Sequence, residues 1–134
     1  MQLSPHFSTE EFACRCGCGF GTHSGDVSVD LLRRLETMRA DPDVGPMMLN
    51  SGCRCVKHNA EVGGAPTSAH TCGEAADIAC PDSHRAFVLV RAAFAAGFRR
   101  IGNESGCIHV DVSTRPVSPQ DVLFGWDRTQ HLPA

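Results

Sequence analysis

The sequence has no run of apolar residues long enough to cross a bilayer: its longest, Ala86 to Phe98, is interrupted by Arg91. It also has no excess of either charge, since 12 Lys and Arg stand against 15 Asp and Glu for a net charge of -3. Such a balance leaves no electrostatic footprint for nucleic acid or an anionic membrane, and neither is expected as a partner. The opening Met1 to His6 lacks the basic and apolar regions of a signal peptide, so a soluble chain without a visible export signal is expected. No internal repeat, linker or low-complexity segment interrupts the 134 residues, a length that suits one domain of about 100 to 150 residues. What the chain does have in abundance is cysteine, with eight. That density in a short chain favours disulfides or bound metal, whereas the missing signal points to a reducing compartment at synthesis.

Local patterns define the elements. Ser8 is placed to cap a short helix with Glu11 as its capping-box partner, and the glycines of Cys14-Arg15-Cys16-Gly17-Cys18-Gly19 make the next segment a loop. Leu31, Leu32, Leu35 and Met38 recur at helical spacing between Val29 and Ala40, with Ser28 as cap and Asp41-Pro42 as stop. Met47 to Ser51 reads as a strand, Val56 to Val62 as a helical turn, and Ala75 to Cys80 as a buried strand. A second long helix is expected from His84 to Ala96, capped by Ser83 and stopped by Gly97. Phe98 to Gly102 and Cys107 to Val112 read as strands joined by the turn-rich Asn103 to Gly106. Helices and strands mix without regular βαβ alternation, which predicts an α+β fold with a small, mainly antiparallel sheet and flanking helices. The tail from Arg115 to Ala134 has only Val122, Leu123, Phe124 and Trp126 to anchor it.

Two clusters carry chemistry. Along Cys107-Ile108-His109-Val110-Asp111-Val112 the period of two places Cys107, His109 and Asp111 on one face and the aliphatic residues on the other. Alone, this reads first as a surface histidine beside a solvated aspartate. In Ser68-Ala69-His70-Thr71-Cys72-Gly73-Glu74-Ala75-Ala76-Asp77, an aspartate sits among alanines on a strand, where burial is costly unless a cation neutralises it. Taken together, two histidines and an aspartate make the N/O ligand set of a catalytic zinc with one position left for water.

These residues resemble the zinc D-alanyl-D-alanine peptidases, a family that includes phage endolysins and shares its fold with the signalling domain of hedgehog proteins. The pattern S-x-H-x-x-G-x-A-x-D is met by Ser68, His70, Gly73, Ala75 and Asp77, and the later H-x-D by His109-Val110-Asp111. Ser51-Gly52-Cys53-Arg54-Cys55 is similar to the S-G-Y-R-C region of that family, and His6 to Phe12 to the start of its compact branch. The resemblance covers residues 6 to 112. It implies a hedgehog/DD-peptidase-like fold and one zinc ion on His70, Asp77 and His109. It further implies that Arg54 receives the substrate's carboxylate with help from Ser68, whose alternative role is to stabilise its loop. The expected substrate is a peptidoglycan stem peptide, cut as a carboxypeptidase or an endopeptidase by a monomer. Action at the bacterial cell wall then requires phage release or some other export.

The general base is the departure. Relatives place an acid about three positions before the last zinc histidine, where this chain has Gly106. Glu104, in the turn ahead of His109, and Asp111, on the same strand face, are the candidates. Strand geometry favours Asp111, which can alternatively orient a ligand histidine. Without a working base, the domain would be a zinc-containing binding module of the same fold. Cys53 stands where relatives have an aromatic residue. Cys14, Cys16 and Cys18 can join Cys53 or Cys55 in disulfides or in a second, cysteine-bound structural metal site. Cys107 can equally be a small core residue, and His6, His23, His84 and His131 need no function.

Overall fold

The computed structural model describes residues 1–126; His131 and the end of the tail lie outside the described residues. The N-terminal strands β1 (Gln2–Ser4) and β2 (Phe7–Ser8) form a small antiparallel ribbon. Helix α1 (Thr9–Phe12) follows, and its capping box is as expected: the Ser8 backbone N–H donates to Glu11 at 2.8 Å. After the cysteine-glycine loop comes α2 (Val29–Ala40), whose first turn is closed by the Leu31 N–H donating to Ser28 Oγ at 3.1 Å.

The main sheet is built from β3 (Leu49–Ser51), β4 (Ala75–Ala79), β5 (Arg100–Glu104), β6 (Cys107–Asp111) and β7 (Val122–Phe124). Its strand order is β3-β4-β6-β5-β7, antiparallel throughout except for the parallel β5–β7 pair. The α+β class with a mainly antiparallel sheet is therefore as the patterns predict. Helix α3 (Val56–Glu61) sits between β3 and β4, and α4 (Ser83–Ala95) crosses between β4 and β5.

One face of the sheet is dry. Ala76 and Ile78 of β4, Ile101 of β5, and Ile108 and Val110 of β6 pack with Leu31, Leu35 and Met38 of α2 and Leu89 and Ala93 of α4. Full burial of each large aliphatic side chain contributes about 1.5–3 kcal/mol, so this face anchors the strands. Arg34 of α2 donates to the carbonyls of Ala96 (3.1 Å) and Gly97 (2.8 Å), satisfying acceptors that the end of α4 leaves unpaired. Because α2 and α4 cover only the apolar face, the residues of alternate parity on β4, β5 and β6 are left to build something else.

Several boundaries differ from expectation, each for a local reason. Asp82, not Ser83, caps α4, its carboxylate accepting from the Arg85 N–H at 2.8 Å. Strand β3 begins only at Leu49, since Gly45 turns with positive φ and the pairing with β4 is irregular. The β5–β6 hairpin is tighter than the turn-rich linker suggested. Ser105-Gly106 alone make the turn, with Gly106 at φ +76°, so Asn103 and Glu104 belong to the strand. Strand β7 was not expected, being three residues inside a proline-flanked tail.

Candidate metal centre

Sheet register assembles the site. Residues directly opposite across an antiparallel pair share a face. Asp77 lies opposite His109, which lies opposite Gly102, which in turn pairs with Phe124. On one side of this row stand Ala75, Asp111 and Arg100; on the other, Ala79, Cys107 and Glu104. The face opposite the core thus carries one carboxylate, one imidazole and two further acids within three rungs of a ladder. His70 arrives from outside the sheet, on the 3₁₀ turn Ala69–Cys72 that leads into β4. Gly73 ends that turn at φ +68°, where a Cβ would collide with the Asp26 carbonyl, so only glycine lets the chain re-enter the sheet here.

The buried side chains of His70, Asp77 and His109 bring one ligand atom each to within 4.8 Å of one another. His70 Nε2 is 3.2 Å and His109 Nδ1 2.9 Å from the same oxygen, Asp77 Oδ1. The two rings meet edge to face at 5.1 Å. Each ring has its outer nitrogen held by an acceptor: His70 Nδ1 lies 2.6 Å from the Gly52 carbonyl, and His109 Nε2 2.7 Å from Asp111 Oδ2. An acceptor on the outer nitrogen keeps the proton there. The inner nitrogens then present lone pairs toward a carboxylate oxygen, an arrangement that requires a cation among them, either a metal ion or a proton. Zinc fits this donor set, with two imidazole nitrogens and a carboxylate oxygen. In its stead a proton binds tightly: burial works against the charged ring, but Asp111 and then Asp77 push His109 up to about 9. Burial likewise opposes ionisation of Asp77, yet hydrogen bonds with His109 and His70 hold it well below the usual carboxylate range.

The centre opens on a cleft of about 550 Å³ lined by Arg54, Ser68, His70, Glu104, His109 and Phe124, among others. A family model described as Peptidase M15 matches residues 5–111. The chain belongs to the peptidase M15 family. This is a zinc-dependent peptidase family, and the match spans every residue of the cluster together with Arg54, Ser68, Glu104 and Asp111. No curated protein matches the chain.

In this M15 peptidase the two candidate acids stand on opposite sides of His109. Asp111 is buried behind the ring: besides His109, it accepts from Arg100 Nε at 2.7 Å and from the Ser113 N–H at 3.0 Å. Burial raises its pKa, but His109 and then Arg100 outweigh that and keep it ionised. Glu104 has a side chain 44% exposed, and its Oε1 is 4.0 Å from His109 Nδ1, the nitrogen on the metal side. Because β5 continues through Glu104, no turn has to fold back to bring it there, contrary to the strand argument that favoured Asp111.

Arg54 of the peptidase, next after Cys53, lies at the cleft wall with a side chain only 12% exposed. One terminal nitrogen is 3.6 Å from Asp77 Oδ2 and the other donates to Asn59 Oδ1 at 3.2 Å, while its buried Nε has no partner. Ser68 Oγ accepts from the His70 N–H at 3.3 Å, which makes it the cap of the turn that presents His70 as well as a cleft residue. Cys53 does not line the cleft; it is buried with its thiol 3.7 Å from the Asp26 carbonyl, and burial pushes it up to about 12. Cys107 is buried too, donates to Glu104 and is pushed up to about 12, first by burial and then by Asp77 and Glu104.

Sequence reasoning missed Phe124, Arg100 and Asn59. The Phe124 ring centroid is 5.2 Å from that of His109, and a Cβ at Gly102 would run into it, so Gly102 is the space that Phe124 occupies. Arg100 holds Asp111 and also lies over the Phe124 ring at 5.6 Å. A two-residue hairpin turn at Ser105-Gly106 would have revealed Arg100 opposite Asp111.

Proposed function

We propose that this chain is a zinc peptidase that hydrolyses peptidoglycan stem peptides, with His70, Asp77 and His109 as ligands of one catalytic zinc. The observation that carries the reading is the convergence of His70 Nε2 and His109 Nδ1 on one oxygen of Asp77, with both outer nitrogens already held by acceptors. When bound, zinc supplies Lewis acidity, acidifying water and polarising a carbonyl.

The protein's own groups do the rest. Glu104, at the cleft and on the inner side of His109, takes the proton from the attacking water and passes it to the leaving amine. Asp111 is a positioning residue: it holds the Nε2–H tautomer of His109 and is itself held by Arg100 and Ser113. Arg54 receives the free carboxylate of the substrate through its guanidinium edge, which its contact with Asn59 orients. Ser68 keeps His70 in place and offers its hydroxyl at the cleft rim. Tight enclosure of Asp77 and His109 keeps the ligands rigid, while the half-exposed Glu104 stays free to exchange protons.

The test is incubation of the zinc-loaded protein with a stem peptide ending in D-alanyl-D-alanine and with cross-linked muropeptides, followed by mass spectrometry. Release of D-alanine identifies a carboxypeptidase, and scission of the cross-linked species an endopeptidase. Intact substrates in the presence of stoichiometric zinc would overturn the peptidoglycan reading.

A further inference from the structure

Far from Asp77 in sequence, a second set of ligands gathers. Cys14, Cys16, Cys18 and Cys55 bring their sulfurs to within 4.8 Å of one another. We propose that these four cysteines bind a second, structural zinc ion that pins the loop after α1 to the segment carrying Arg54.

The sulfur spacing suits a shared metal ion rather than separate pairs. Zinc–thiolate bonds of about 2.3 Å in tetrahedral array put sulfurs about 3.8 Å apart. Cys14 and Cys16 sulfurs are 3.4 Å apart, and those of Cys16 and Cys55 3.7 Å. Cys16 is thus close to two partners at once, whereas a disulfide joins each sulfur to a single partner at about 2.05 Å. None of the four is in a disulfide. Backbone donors complete the surroundings: the Cys55 N–H points at Cys14 Sγ (3.4 Å) and the His58 N–H at Cys55 Sγ (3.3 Å). N–H groups aimed at sulfur stabilise thiolate, the form that binds metal.

The loop is shaped for this role. Gly17 and Gly19 both take positive φ, at +80° and +98°, so the cysteines at every second position of Cys14-Arg15-Cys16-Gly17-Cys18 curl to one point instead of being spread along one face as on a strand, where two residues rise about 6.6 Å. The Cys14 N–H closes the loop on the Phe20 carbonyl at 2.8 Å. Cys16 and Cys18 are exposed, and the loop lacks an apolar core of its own to hold them. A metal supplies that hold, as in small domains whose folding energy is metal-binding energy.

The consequence reaches the cleft. Cys55 is both the fourth ligand and the N-cap of α3, and α3 supplies Asn59, which holds Arg54. Arg54 is therefore fixed from both sides, by the Cys53 N–H donating to the Phe12 carbonyl at 2.8 Å and by the metal at Cys55. The inference does not depend on the catalytic reading, because the two centres share no ligand.

The experiment uses the full chain purified without chelator. Elemental analysis is expected to give two zinc ions per chain, and cobalt substitution a thiolate-to-cobalt charge-transfer band in the near ultraviolet. The double variant Cys16→Ser/Cys18→Ser should lose one zinc and that band, and His109→Ala should keep the band while losing the other zinc. If the double variant does not fold, titration of the wild-type protein with a mercurial thiol reagent decides: release of one zinc as four thiols react supports the site. Absence of the band in cobalt-loaded protein, reaction of those thiols without zinc release, or disulfides among the four in the freshly purified protein would overturn it.

Discussion

Asp111 Oδ2 lies 2.7 Å from His109 Nε2, on the far side of the ring from the nitrogen that faces Asp77. A carboxylate in that position orients the ring and cannot reach what the other nitrogen binds. Glu104→Gln is therefore expected to lower hydrolysis by about 10²–10⁴-fold with zinc retained, the usual contribution of a general base. Asp111→Asn should instead weaken zinc binding by about 10–100-fold, as loss of an orienting partner does. Rates and zinc content measured side by side separate the two; an inactive, fully zinc-loaded Asp111→Asn beside an active Glu104→Gln would reverse the assignment.

His70→Ala and His109→Ala should each remove the zinc of the His/Asp centre, since three protein ligands leave no redundancy. Elemental analysis of dialysed protein should show one equivalent fewer than wild type. Undiminished zinc in either variant means that the centre lies elsewhere.

Arg54→Lys tests geometry at constant charge. Lysine is a point charge that makes no bidentate contact with a carboxylate, so KM should rise for peptides with a free carboxyl end while zinc content stays the same. Amidated peptides should show little difference between the two proteins. An equal loss on both substrates would assign Arg54 a structural role.

Gly102→Ala should destabilise the fold by overpacking, by about 1–3 kcal/mol in chemical denaturation. The added Cβ meets the Phe124 ring, so the penalty should shrink when Phe124→Ala is made in the same chain. An unchanged penalty in that background would mean that the strain lies in the backbone and not against Phe124.

Much of this was legible from residue order. The spacing of Leu31, Leu35 and Met38 specified α2 and its buried face, and alternation in Cys107 to Asp111 specified which side of β6 is dry. His70, Asp77 and His109 were recognisable because a buried aspartate among alanines and two histidines have few other uses in common. The N-terminal ribbon and β7 were not, as strands of two or three residues carry too little periodicity to be distinguished from loop.

What the sequence by itself determined is the inventory: the elements with strong periodicity, the pair of motifs, and the cysteine-rich loop. Which acid faces which nitrogen of His109 was decided only by tertiary structure. Strand alternation places Asp111 and His109 on one face but says nothing about the rotation of the imidazole, and that rotation follows from Asp77 across β4 and Arg100 across β5. Likewise, the choice of Cys55 over Cys53 as partner of the loop depends on a contact 41 residues apart in the chain. Local preference cannot encode such a choice, because both cysteines flank Arg54 and only packing turns one into the core and the other toward Cys14.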